Sequence, residues 1–152
     1  MKDYLGWTQR TDEPQAITAE IFSLCRLPSP AEQSFVDSQH GKDMLLLLDW
    51  LNEPAAHGFA AGGRPAFPVG SAVVKQKLRR PAGGLPEVAA LGLMIKRDRG
   101  FDAAHGDWEY GYWEPSTGLG SGKAAQASCG GCHAQSTTDH VFVDETWRWP
   151  GQ

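Results

Sequence analysis

Five consecutive residues near the end of the chain, Cys129-Gly130-Gly131-Cys132-His133, carry its strongest chemical signal. A C-x-x-C-H element is the attachment signature of c-type haem. The spacing has a physical reason: two thiols must reach the two vinyl groups on one porphyrin edge, and the next residue must set an imidazole nitrogen beneath the iron. Two glycines between the cysteines are expected to let the backbone approach the macrocycle without a Cβ. Two other chemistries use C-x-x-C. A zinc site needs a second half-site, but Cys25 stands alone and His105 and His140 are poorly spaced for one. A redox dithiol follows a strand in a βαβ unit, and no such pattern precedes Cys129. The haem reading therefore leads, with Cys129 and Cys132 attaching the group and His133 ligating its metal.

An iron held by one histidine needs either a sixth ligand or an open position, and that choice separates an electron carrier from a ligand binder or an enzyme. Met44, Met94, His40, His57, His105 and His140 are the available sixth ligands. Small electron-transfer cytochromes place C-x-x-C-H near the start of an all-helical chain, with a methionine downstream. Here the motif is late and no methionine follows it. Five-coordinate iron with an open site is the favoured expectation; a Met or His sixth ligand would instead give a low-spin electron carrier.

The elements that must position this motif are mostly strands. The chain has 152 residues, 14 Lys and Arg against 18 Asp and Glu, and a formal charge of −4. That length fits one domain over residues 1–152, with a real core. Hydrophobic residues make up 41%, which excludes general disorder, and the acidic balance offers no basic stripe for nucleic acid. The longest apolar stretches, 44–48 and 88–95, are too short to span a membrane. Residues 15–25 read as a strand with Cys25 as a core residue, and 44–51 is an apolar run interrupted by Asp49. A short helix is expected over 53–61, ending at Gly62-Gly63. Residues 64–70 read as a turn. Over 71–80, Ala72, Val74 and Leu78 fall on one face and Val73, Lys75 and Lys77 on the other. Residues 88–97 and the aromatic run 107–114 read as further strands; 100–106 reads as the turn between them. The Gly/Ser-rich stretch 116–122 leads into a first helical turn over 123–128. The fold class expected is α+β, mainly β: an antiparallel sheet with a few helices around one haem.

Several segments in this order resemble the cytochrome P-460 and cytochrome c′-beta family. Tyr4-Leu5-Gly6-Trp7 is similar to its opening Tyr-x-x-Trp. The run Phe67-Pro68-Val69-Gly70-Ser71-Ala72-Val73-Val74-Lys75 resembles its Phe-x-x-Gly-Thr-x-x-x-Lys strand. Gly106-Asp107-Trp108-Glu109-Tyr110 resembles its Gly-Asn/Asp-Trp-x-Tyr/Phe element, and Thr138-Asp139-His140-Val141-Phe142 its Thr-Asp-x-Val-Phe. The resemblance implies a covalently attached haem c on His133, an open distal pocket, a homodimer and a periplasmic location. No apolar leader is visible at the N-terminus, so the location is an expectation carried by the motif.

In cytochrome P-460 a strand lysine is cross-linked to the porphyrin and the enzyme oxidises hydroxylamine, passing electrons to a partner cytochrome. The matching residue here is Lys75; from the residues alone it would share a solvated face with Lys77. In the c′-beta branch there is no cross-link, the pocket is apolar, and the haem binds nitric oxide or carbon monoxide. Hydroxylamine-oxidising members carry a distal glutamate on the strand before the Gly-Asn/Asp-Trp element, and the matching position here is Gly92. A positioned general base contributes a factor of ~10²–10⁴, so this departure favours ligand binding, while Lys75 favours the enzyme. Glu87 and Glu109 are possible substitutes. Phe22, Phe59 and Phe67 are candidates for an apolar distal wall, and ordinary core packing explains them equally well; Trp147 and Trp149 are expected to pack on the sheet or at a dimer contact.

Overall fold

In the computed structural model, which describes residues 2–19, 44–60 and 66–142, the framework is an antiparallel sheet. Its strands are β1 (Thr8–Gln9), β2 (Gln15–Ile17), β3 (Met44–Leu51), β4 (Ala72–Arg80), β5 (Glu87–Lys96), β6 (Trp108–Glu114) and β7 (Gly118–Ser121). Strand order runs β1-β3-β4-β5-β6-β7, with β2 also paired to β3. Two α-helices are described, α1 (Glu53–Ala60) and α2 (Lys123–His133). The expected α+β, mainly β architecture is therefore the one observed. Cys25, Phe22, His40, Gly62-Gly63, Trp147 and Trp149 lie outside the described residues, as does most of the strand expected over 15–25.

Each β-strand shows its faces to opposite sides, and the two faces of this sheet differ. One face carries Leu51, Val73, Met94, Trp108 and Tyr110, which pack with Ala55, Ala56 and Phe59 of α1 and with Phe67, Val141 and the half-buried Cys129. The other carries Leu48, Trp50, Val74 and Leu91, covered by Tyr4 and flanked by Trp7, Leu93 and Trp113. The alternation read for β4 is thus the one formed, and β6 alternates likewise, with Trp108 and Tyr110 on one face and Trp113 toward the other. Lys77 keeps the face of Lys75 but is only 2% exposed rather than solvated, with Nζ 5.0 Å from the centre of the Tyr112 ring.

Two local devices set the entry angles of these elements. Asn52 follows β3, and its side-chain Oδ1 accepts from Ala55 N (3.1 Å) and Ala72 N (2.8 Å) while Nδ2 donates to Gly70 O (2.8 Å). One side chain thus caps α1 and fixes the start of β4. Asp107 closes the β5–β6 connection by accepting from Gly100 N (3.0 Å) and Asp102 N (2.9 Å). The Gly/Ser-rich stretch 116–122, read as the lead into a helical turn, also supplies β7, an edge strand on β6. Short glycine-rich edge strands carry too few β-formers to announce themselves in sequence.

Candidate functional site

Helix α2 carries the whole C-x-x-C-H element, rather than only the turn before it. Its residues Gly130 and His133 are buried. Helical spacing puts Cys129 and His133 one turn apart on the same face, and both line one cleft. Neither cysteine is in a disulfide, and both are partly exposed.

His133 is prepared as a ligand by its surroundings. The ring is 4% exposed, and the short 2.7 Å contact between Nδ1 and His140 O requires Nδ1 to carry the proton. Nε2 is then the lone-pair nitrogen, the tautomer a metal needs. Burial pushes the imidazole down to about 4, overriding the upward pull of the His140 carbonyl, and the charge of Lys75 adds to the downward shift. The ring is therefore neutral at ordinary pH. Tyr110 and Phe142 flank it with ring centres 5.2 and 5.1 Å away.

The His140 carbonyl is aimed by a loop that is itself anchored. Asp139 accepts from Lys96 Nζ at 2.6 Å and from Phe67 N at 3.1 Å, and its backbone carbonyl accepts from Trp108 Nε1 at 2.8 Å. Asp139 and His140 both hold positive φ, 46° and 60°. The Thr-Asp-x-Val-Phe segment thus orients the histidine of the C-x-x-C-H segment.

The glycines inside the motif have a different use from the one expected. A Cβ on Gly130 would come within 2.8 Å of His105 Cδ2, whereas one on Gly131 would meet nothing within 4 Å. Gly130 therefore admits the His105 ring against α2. His105 Nδ1 is 2.8 Å from Asp102 Oδ2, which also accepts from Gln126 Nε2 at 2.6 Å. These bonds, that to His105 first, hold the Asp102 carboxyl below its usual range. Gln126 continues to Trp108 O (2.6 Å) and accepts from Tyr110 N (3.2 Å), tying α2 to β6.

The opposite wall of the cavity is a row across the sheet. Lys75 on β4 lies opposite Asp49 on β3 and Gly92 on β5, and Gly92 lies opposite Tyr112 on β6. All four line the cavity with His133 and Cys129. Lys75 thus lines the same cleft as His133, and Gly92 opens space directly beside it. Glu109 pairs with Arg97, and Glu87 is an exposed strand end; neither lines this cavity. Of the six alternative sixth ligands, Met94 lines it; Met44, His57, His105 and His140 do not, and His40 is outside the described residues. Phe59 lines the cavity, while Phe67 packs behind it, ring centres 4.9 Å apart.

Sequence reading passed over three cavity residues. Asp49 is 5% exposed and paired to Arg10, with Arg10 Nη1 3.3 Å from Oδ2. The signal for Asp49 was a lone charge inside the run Met-Leu-Leu-Leu-Leu-Asp-Trp-Leu. Arg10 gave no local signal, since the pair joins residues 39 apart. The third is Tyr110, whose buried hydroxyl has no hydrogen-bond partner among the described residues. Burial, then the Cys129 thiol and nearby carboxylates, raise its phenol well above the ordinary value.

The donor set fits a haem. An apolar cleft is lined by a neutral imidazole whose Nε2 carries the lone pair and by Cys129 one helical turn away, while Cys132, next to His133 on the same helix, is half-buried outside the lining. Among the described residues, no group of three or more His, Cys, Asp or Glu is arranged to hold a metal ion by itself, so zinc gains no second half-site. Comparison with curated proteins finds no match. The family model described as Cytochrome P460 matches residues 49–143, from the buried aspartate to the end of the loop behind His133. That span is more than half of the chain and includes the cavity wall, the C-x-x-C-H helix and the orienting loop. The chain belongs to the cytochrome P460 family, a membership that supports haem binding.

Proposed function

We propose that this chain is a single-domain c-type mono-haem protein, with five-coordinate iron, that acts on small nitrogen species. Cys129 and Cys132 would hold the haem by adding their S–H bonds across its two vinyl groups, and His133 Nε2 would be the one protein ligand to iron. A bound haem would supply an iron that takes a small ligand and exchanges electrons with a partner cytochrome. The observation that carries the reading is the shared cavity. A histidine held neutral by burial lies on one side, and the row Asp49, Lys75, Gly92, Tyr112 on the other.

The residues divide the work. His140 O fixes the His133 tautomer, Tyr110 and Phe142 hold the ring, and Phe59, Val73 and Val141 exclude water. Lys75 is the residue positioned to modify the macrocycle, in the cytochrome P-460 manner that goes with hydroxylamine oxidation. A second reading has its own observation: Gly92 leaves the place beside Lys75 empty, which favours non-enzymatic binding of nitric oxide or carbon monoxide. Covalent haem attachment implies a periplasmic setting, and a homodimer is the expected assembly.

Optical spectra of the haem-loaded protein, ferric and dithionite-reduced, test both. A ferrous Soret band far to the red of an ordinary c-type haem, restored to normal by Lys75→Ala, would establish the cross-link and the enzymatic reading. A normal high-spin ferrous spectrum would give the lead to gas binding. A low-spin, six-coordinate spectrum would overturn both and point to Met94.

A further inference from the structure

The cavity holds one feature that haem attachment does not use. Among the described residues, Asp49 is the carboxylate that lines it. The side chain is 95% buried, Oδ2 is held by Arg10, and Oδ1 is buried with no hydrogen-bond partner among the described residues. Buried polar atoms are nearly always paired, because an unpaired one forfeits its hydration without recompense. An orphaned acceptor on a cavity wall is explained when the occupant of that cavity brings the missing donor.

The register shows which donor is within reach. Asp49 lies in the same cross-sheet row as Lys75 and Gly92, one strand from Lys75 on the side away from Gly92. Directly paired strand positions are roughly 5 Å apart. The row therefore offers a carboxylate in place of the side chain absent at position 92. We propose that Asp49 is a specificity-determining residue of this pocket: its Oδ1 accepts a hydrogen bond from a protic nitrogen ligand such as hydroxylamine, and Arg10 holds the carboxylate in place. The proposal rests on the reading of an open haem site given above. An aprotic diatomic gas has no hydrogen to give, so Asp49 discriminates between the two ligand classes proposed for one iron. Hydrogen bonds to a charged group are strong enough for the discrimination to be about tenfold to a hundredfold.

The test measures ferric affinities of hydroxylamine and nitric oxide on the haem-loaded protein by optical titration. Asp49→Asn keeps the shape but leaves the Arg10 charge without its counter-ion, a change that can unfold a chain. The double variant Arg10→Met/Asp49→Leu removes the pair together, which proteins commonly tolerate. The expected result is a loss of hydroxylamine affinity of about tenfold or more in either variant, with nitric oxide affinity kept within about twofold. Equal changes for both ligands, or no change for either, overturn the proposal and leave the haem reading standing. Failure of both variants to fold assigns Asp49 to holding the sheet and also overturns it. Wild-type protein without attached haem overturns the haem reading and the proposal together.

Discussion

At the scale of single residues, the two glycines of the C-x-x-C-H element have opposite surroundings. Gly130 faces the His105 ring and Gly131 faces open space. Gly130→Ala inserts a methyl where the nearest atom would be 2.8 Å away, an overpacking worth about 1–3 kcal/mol. It also gains about 1 kcal/mol of helix propensity. The expected net effect in urea unfolding is a loss of up to about 2 kcal/mol. On a His105→Ala background the steric cost disappears and the same change becomes neutral or stabilising, a coupling that a double-mutant cycle reads directly. Gly131→Ala should stabilise by about 0.5–1 kcal/mol. Sequence made the motif legible because its residues are adjacent, but it could not show that His105, 25 positions earlier, is why one glycine is needed. Asp49 was hidden for the same reason, since a buried ion pair across 39 residues leaves only an unexplained charge in an apolar run.

At the scale of elements, the long strands were readable and the short ones were not. β4, β5 and β6 have enough β-branched, aromatic or alternating residues to declare themselves, and their observed bounds lie within a residue of the expected ones, while β3 showed only as an apolar run over the same residues. β1, of two residues, and β7, rich in glycine, exist because a neighbouring strand supplies their hydrogen bonds. The loop after α2 belongs to this scale, because its function comes from what it touches. Asp139 joins β5 through Lys96 and the residue-67 backbone through Phe67 N, and so aims the next carbonyl at His133. Asp139→Ala removes both side-chain bonds and leaves a positive-φ alanine, so a loss of about 2–3 kcal/mol is expected. Asp139→Asn keeps an acceptor for Phe67 N and tolerates the conformation, so it should lose less. The ferric spectrum of the haem-loaded protein gives an independent reading, since a loosened His140 carbonyl weakens the basicity of the His133 ring. A change in stability with an unchanged spectrum would mean that the loop does not act on His133.

At the scale of the whole molecule, the two faces of the sheet separate structure from chemistry. The Trp50–Val74–Leu91 face is covered by aromatic packing, while the opposite face carries α1, α2 and the cavity. Family membership extends across both the wall and the helix, because neither makes a site alone. No helix among the described residues is long and apolar enough to cross a membrane, so the proposed compartment has to be tested through the chemistry of attachment. Thioether formation needs reduced thiols, and Cys129 and Cys132 lie on one helix with no disulfide between them. It also needs haem delivered where c-type maturation occurs. The chain fused to an export leader and produced with that machinery should gain the mass of one haem, retained after denaturation. The same chain kept in the cytosol should carry none. Cys129→Ala or Cys132→Ala should leave one thioether and His133→Ala should leave an attached haem with altered coordination. A haem that washes out in acid-acetone from the exported protein would place this chain among haem proteins that bind by ligation alone, and His133 would then carry the whole attachment.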